Sequence, residues 1–347
     1  MRLLVTGGAG FIGSALVRLA VARGHEVVVV DALTYAACLD SLAPVAGSAR
    51  YRFERADIRD RAAMDRILAG HAPDAVLHLA AETHVDRSID GPAAFVDTNV
   101  TGTFTLLEAA RAWWTAKGRP GGFRFLHVST DEVFGALGPA GRFDEASPYA
   151  PRSPYAATKA ASDHLVRAWG ATHGLPVLVT NCSNNYGPCQ FPEKLVPVAI
   201  LNALHGREIP VYGAGAQVRD WLFVEDHVAA LLAVLARGGA GGTWCIGGEA
   251  EARNIDLVRR ICALMDEMRP DGAPHDRLIT FVADRPGHDA RYAINPARIR
   301  ADLGWRPAVS LDAGLRRTVR WYLDTPGWWA PLLARPGVGQ RLGRGVA

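Results

Sequence analysis

Lysine is almost missing from this chain. It stands only at 117, 159 and 194, although Lys and Arg together number 38. The basic residues are therefore nearly all Arg, and a position that keeps Lys carries information. An excess of one charge is missing too. The 38 basic residues face 35 acidic ones, a formal net charge of +3, which argues against a nucleic-acid or membrane partner recruited by bulk electrostatics and leaves room for a local anionic ligand. Cysteine is sparse. The five, at 38, 182, 189, 245 and 262, are odd in number and form no Cys-x-x-Cys, which fits reduced thiols better than disulfides or a zinc site. No apolar run approaches a membrane span. The first, Leu3 to Val5, gives way at once to TGGAG, which is no signal peptide. Repeats and low-complexity tracts are absent as well, so a soluble, cytoplasmic protein is expected.

What is present is a rhythm. Apolar, Val-rich runs of strand length (RLLVTG, HEVVVVDA, YRFERAD, DAVLHLAA, FRFLHVST, PVLVTNCS) alternate with helix-like stretches such as FIGSALVRLAVARG, AAFVDTNVTGTFTLLEAARAWW and YAATKAASDHLVRAWGATHG. Continuous apolar strands separated by helices predict a parallel sheet covered on both faces. After about residue 185 Gly, Pro and aromatics become denser, and the pattern predicts short strands and loops. The expected fold is α/β, a Rossmann-type doubly wound sheet with a smaller C-terminal α/β substrate-binding domain. The expected division is 1–185 for the first domain, with a segment about 222–248 returning to it, 186–330 mainly for the second, and 331–347 as a flexible tail.

Three short stretches carry chemistry. VTGGAGFIG places Gly7, Gly10 and Gly13 between a predicted strand and a predicted helix, where glycine lets backbone N–H groups approach a pyrophosphate. The next strand ends in Asp31, at the offset of about 20 residues suited to an acid that binds a ribose diol. A carboxylate there repels a 2′-phosphate, so NAD is expected rather than NADP. Asp57, with Ile58, follows another strand and serves either as an adenine contact or as a helix N-cap. In SPYAATK, Ser153 and Pro154 are suited to open a helix, which places Tyr155 and Lys159 one turn apart on one face. An ammonium beside a phenol is expected to lower its pKa and make it a usable base. In STDEVFG a predicted strand ends in Thr130, Asp131 and Glu132, two adjacent carboxyl groups whose repulsion separates their pKa values. The bland reading of that pair is an acidic first helical turn.

TGGAGFIG with YAATK resembles the extended short-chain dehydrogenase/reductase family. AAETHVDRSI, STDEVFG, TNCSNNYGPCQFPEKLVP, RDWLFVEDH and DRPGHDARYAI are similar to its dTDP-glucose 4,6-dehydratases. That resemblance, from Met1 to about Trp329, implies an NAD-dependent hydro-lyase acting on a nucleotide sugar, dTDP-glucose, as a homodimer through packed helices. It implies Tyr155 as the base at the C4 hydroxyl, Asp131 as the acid at the C6 oxygen, Glu132 as the base at C5, Thr130 near the C4 oxygen, and Lys159 beside Tyr155. For NAD it implies Phe11 and Ile12 beside the glycines, Ala32, Leu33 and Thr34 after Asp31, Leu79, Ala80, Ala81 and Thr83, with Thr98 and Asn185. For the nucleotide sugar it implies Thr83, Thr130, Asn184, Lys194, Leu195 and Asn254, with Pro210 and Tyr212 flanking the base. The run from Asp284 to His288 completes that set, with Arg219 and Arg285 on the phosphates.

The spacing of His84 and His288 supports no metal site, and LRRTVRWYLDTPGWW reads as a packing helix. Three departures from the family pattern stand out: Phe134 and Cys189 where Tyr is usual, and Ala37-Cys38 where Gly-Asn is common. A nucleotide-sugar epimerase or decarboxylase would share the Gly turn and the Tyr/Lys pair but would not need the adjacent acids. The residues also leave open a UDP-sugar dehydratase and a non-catalytic NAD-binding regulator.

Overall fold

A computed structural model describes residues 1–335 and 338. Going along the chain, the elements are β1 (Arg2–Thr6), α1 (Phe11–Ala22), β2 (Glu26–Asp31), β3 (Tyr51–Arg55), α2 (Arg61–His71), β4 (Ala75–His78), α3 (Val85–Asp90), α4 (Pro92–Phe95), α5 (Thr103–Ala116), β5 (Arg124–Thr130), α6 (Pro154–His173) and β6 (Val177–Cys182). Then follow β7 (Asn184–Tyr186), α7 (Leu195–Leu204), β8 (Ile209–Tyr212), β9 (Val218–Phe223), α8 (Val224–Arg237), β10 (Thr243–Ile246), β11 (Glu251–Arg253), α9 (Asn254–Met268), β12 (Ile279–Val282), α10 (Ala297–Leu303), α11 (Leu311–Asp324) and α12 (Pro326–Leu333).

The main sheet has seven strands in the order β10-β6-β5-β4-β1-β2-β3, all parallel, with Leu3 opposite both Val27 and Ala75. Its central strands are buried on both faces because their sequences carry runs of consecutive apolar residues rather than an alternating pattern. The order reverses between β1 and β4, so a crevice opens beyond their carboxyl ends, where doubly wound sheets bind ligands. Two small sheets, β11-β9-β7 and β12-β8, form a second layer. Their core joins α7, α9, α11 and α12 around Tyr186, Phe223, Leu257 and Tyr322. The chain crosses between the two cores more than once: β7 leaves the main sheet directly after β6, and α8 packs back on α1 before β10 rejoins the sheet edge.

Two expectations are corrected. The long stretch from 93 to 114 is one apolar pattern but not one helix, since residues 96–102 form a π-helical segment between α4 and α5; such segments cluster at functional sites. The expected tail beginning at 331 starts inside α12, whose Leu332 is buried. Of the remaining tail, 334, 335 and 338 are described and the others lie outside the described residues.

Candidate active site

The crevice is a cavity of about 490 Å³ that runs from the Gly turn to the N-terminus of α7. At its floor Gly7 has φ +70, and a Cβ there would sit 2.7 Å from the backbone N of Ala80. At Gly13 a Cβ would lie 2.1 Å from the Gly7 carbonyl. The strand-to-helix turn is thus closed against β4 by main chain alone. The N-cap of α1 is Gly10, which offers no side-chain cap and leaves the first N–H groups of the helix open to a ligand. Asp31, at the end of β2, is buried and accepts from Ala9 N at 2.9 Å and Leu33 N at 2.8 Å. Burial nevertheless holds its pKa up. This cradle of bare backbone donors beside one carboxylate fits a dinucleotide.

Gly7, Gly10, Phe11, Ile12 and Gly13 line this end, with Asp31, Ala32 and Thr34. Asp57, Ile58, Leu79, Ala80, Ala81, Thr83 and Thr98 continue the wall. Leu33 is absent from it; at φ 57 its side chain packs on the core instead. Asp57 is clasped by Arg59, with contacts of 2.7 to 3.1 Å, and that pairing lowers its pKa. The N-cap of α2 is Asp60, which accepts from Ala63 N at 3.0 Å, so Asp57 is not a cap.

The opposite wall comes from β5, β6 and α6. Ser153 caps α6 by accepting from Ala156 N at 3.1 Å, with Pro154 in the first turn, as expected. Strand β5 delivers Thr130, Asp131 and Glu132 into a four-residue 3-10 turn. Thr130, Asp131, Glu132, Tyr155 and Lys159 all line the cavity, and Asn184, Asn185, Lys194 and Leu195 lie across it.

Asp131 is 2 % exposed. Its Oδ1 accepts from the Thr130 hydroxyl at 3.2 Å and its Oδ2 has no partner. Burial, then the Glu132 charge, hold its pKa well above the usual range. The repulsion expected from the sequence is real but ranks behind burial. Glu132 is also raised by burial, while Arg285, Arg219 and Lys194 pull it back.

One expectation is reversed. The Tyr155 phenol is pushed up, not down: burial first and then the Glu132 charge raise its pKa, and the Lys159 cation does not outweigh them. The amine itself is aimed past the phenol: Lys159 Nζ donates to the Val128 carbonyl at 2.9 Å and lies 3.4 Å from His127 Nε2. Its own pKa is lowered by burial.

Pro210, Tyr212, Arg219, Asn254, Asp284, Arg285 and His288 do not line the cavity. They cluster beside it on the second layer. Arg219 donates to the Val218 and Asp289 carbonyls and stacks 4.3 Å from the Tyr292 ring centre. Arg285 lies 3.3 Å from Asp86, which also accepts from the Tyr212 hydroxyl at 3.0 Å. Asp284 and His288 are 2.6 Å apart. Asn254 opens α9. Asp86 was missed from the sequence, although it stands inside AAETHVDRSI.

The departures are structural. Phe134 is buried, with its ring stacked 5.1 Å from Phe143 and edge-on to Tyr149 at 5.2 Å. Cys38 is part of the second core, and Cys189 packs against it at φ 65. The C-terminal aromatic run packs, but as two helices, α11 and α12, rather than one: Tyr322 bonds the Gln190 carbonyl and Trp328 bonds Ser41 at 3.0 Å. Among the described residues no His/Cys/Asp/Glu group could hold a metal, and no helix is long and apolar enough to cross a membrane.

A family model described as GDP-mannose 4,6 dehydratase matches residues 4–318. A probable dTDP-glucose 4,6-dehydratase of Sinorhizobium fredii (strain NBRC 101917 / NGR234) is 56% identical over 345 residues, covering 99% of each chain. The dTDP-glucose 4,6-dehydratase 1 of Escherichia coli (strain K12) is 56% identical over 340 residues, 94% of each. The structure of a dTDP-glucose 4,6-dehydratase from Streptomyces venezuelae with NAD bound, 48% identical, superposes with a TM-score of 0.88 and covers 96% of this chain and 100% of that one. A UDP-glucose 4-epimerase of Thermus thermophilus in complex with NAD, 30% identical, has a TM-score of 0.83, covering 93% and 99%.

Proposed function

The chain belongs to the GDP-mannose 4,6-dehydratase family, and from that premise we infer that it is an NAD-dependent hydro-lyase converting dTDP-glucose to dTDP-4-keto-6-deoxyglucose and water. The observation that carries the reading is the adjacent pair Asp131 and Glu132 on the same cavity wall as Tyr155 and Lys159, facing the glycine cradle. The epimerase relative shares the fold, but moving a C4 hydroxyl from one face to the other calls for no acid at C6. Asp131 is therefore the residue that separates the two reactions.

Tyr155 takes the proton of the C4 hydroxyl, with Thr130 beside that oxygen. Because burial holds the phenol up, it gives up its proton only with a cation nearby, the part of Lys159. Gly7, Gly10, Gly13 and Asp31, with the residues of the cofactor wall, would hold NAD, which when bound would supply the acceptor for the C4 hydride and the hydride for C6. A ketone at C4 makes the C5 proton acidic, and Glu132 removes it. Loss of the C6 oxygen as hydroxide is unfavourable, so Asp131, kept protonated by burial, delivers the proton that lets it leave as water. Lys194, Asn184, Thr83 and Leu195 hold the sugar end. Arg219 and Arg285 hold the diphosphate, and Pro210, Tyr212, Asn254, Asp284 and His288 the nucleotide. In this reading residues 1–185, with 222–248, carry NAD, and 186–330 mainly carry the nucleotide sugar.

The protein works in the cytoplasm, in keeping with its five free cysteines. It works as a homodimer whose contact face is α5 and α6, where Phe104 and the nearby Val96 are 45% and 48% exposed; a monomer by light scattering contradicts this. Incubation with dTDP-glucose in deuterated water is expected to yield the 4-keto-6-deoxy product labelled at C5 with no net NADH. Accumulating NADH, or an unlabelled C5, contradicts the mechanism. Turnover across a panel of dTDP- and UDP-glucoses tests the nucleotide.

A further inference from the structure

Behind the catalytic wall lies a second cluster of charge that the reaction as derived does not use. Asp163 follows Lys159 by one turn on α6 and is fully buried. Its Oδ2 accepts from the Tyr149 hydroxyl at 2.7 Å and from the Asn181 amide at 3.1 Å. Its Oδ1 lies 3.1 Å from His127 Nε2 without hydrogen-bond alignment, and that same nitrogen lies 3.4 Å from Lys159 Nζ. Tyr149 in turn accepts from Arg167 at 2.8 Å. A carboxylate taken fully out of water is costly unless donors and cations surround it, and here they converge from three elements.

We propose that Asp163 is a positioning residue for the reaction, the buried counter-ion that keeps Lys159 an ammonium one turn from Tyr155. The cluster's orientation supports it. The donors on Asp163 leave it an acceptor only, and a lone ammonium as buried as that of Lys159, 4 % exposed, would shed its proton. The titratable groups around the pair are Tyr155 and Arg167 on α6, His127 on β5, His78 with its ring centre 5.1 Å from that of His127, Tyr149, and Cys182 on β6. Of these, His127 is held neutral by burial, to about 4, and Cys182 is kept a thiol by burial. Asp163 is thus the anion acting on Lys159.

The inference rests on the proposed function, and wild-type turnover of dTDP-glucose tests that reading separately. The test of Asp163 is the pH profile of kcat/KM for wild type and Asp163→Asn, an isosteric change. Loss of the counter-ion is expected to move the alkaline limb, where Lys159 deprotonates, down by about one unit or more, and to lower kcat about tenfold or more at the wild-type optimum with KM for the sugar nucleotide within about twofold. A lower rate with an unmoved alkaline limb, or an equal change in KM, overturns the proposal. If Asp163→Asn does not fold, ¹⁵Nζ-lysine NMR of the wild type decides, since the chain has Lys only at 117, 159 and 194 and the signal lost in Lys159→Arg is that of Lys159: an ammonium at pH 7–8 is expected, and a neutral amine there overturns the proposal.

Discussion

The front and the back of the β5 wall each bury an aspartate, and the two are driven in opposite directions. Asp131, at the cavity, is met by one hydroxyl at 3.2 Å and by a neighbouring carboxyl group, and its pKa goes up. Asp163, behind the wall, is penalised by burial too, but His127, Lys159 and Tyr149 outweigh that penalty and its pKa goes down. Burial is common to both, so the neighbouring donors and charges decide the sign. The consequence is functional: the poorly solvated acid keeps a proton to give, and the well-solvated one keeps a charge to set against a cation.

The largest way to break this contrast is Asp131→Asn. It is expected to lower kcat for water loss by roughly 10²- to 10⁴-fold while a transient NADH absorbance still reports oxidation at C4. Equal loss of both steps would remove Asp131 from the role of acid. Truncation comes next. Asp163→Ala leaves the Tyr149 hydroxyl and the Asn181 amide buried with a partner gone and the buried Lys159 without the anion near it, and is expected to cost about 3–5 kcal/mol in denaturant unfolding. Asp131→Ala, which strands only one hydroxyl, is expected to cost less; the reverse order would mean that the donors around Asp163 do not hold a charge.

The pH dependence of stability sharpens the same contrast. A lowered carboxyl pKa contributes stability that is present above the unfolded value, near 3.8, and lost as pH falls through the folded one. A raised pKa contributes stability that is full below 3.8 and lost as pH rises through the folded value. Relative to wild type, Asp163→Asn should therefore lose Tm, and Asp131→Asn should gain it, as pH rises from about 3 to 8. Slopes of the same sign would contradict the assignment. The smallest effect is expected at Phe134→Tyr. The ring packs on Phe143 and Tyr149, so a hydroxyl added there should change kcat by less than about threefold and stability by no more than about 1–3 kcal/mol. A larger gain in rate would place that hydroxyl among the reacting groups.

The front of the wall was legible in the sequence and the back was not, for physical reasons. Glycine spacing, Asp31 at a strand end, the Ser153-Pro154 cap and the Tyr155/Lys159 spacing are local patterns, and each acts within one turn or one strand of itself. Asp163 shares the helical spacing of Lys159, yet its partners His127, Tyr149 and Asn181 come from elsewhere in the chain, and only packing brings them together. For the same reason the direction of the Tyr155 shift was misread, since the spacing shows that Lys159 is near but not that Val128 takes its proton donor. The π-helical turn at 96–102 hides in an unbroken apolar pattern. The second layer is made of strands of three to six residues, too short for periodicity to define, which is why the contacts of Asp86 with Tyr212 and Arg285 were reached only through the fold.

The central claim is that Asp131 is neutral and Asp163 ionised at neutral pH. Infrared difference spectroscopy of the protein carrying ¹³C-labelled aspartate, recorded at pH 7 for wild type, Asp131→Asn and Asp163→Asn, reads this directly. The account predicts a protonated-carboxyl band that disappears in Asp131→Asn and persists in Asp163→Asn. A band that persists in Asp131→Asn, or vanishes in Asp163→Asn, would contradict it.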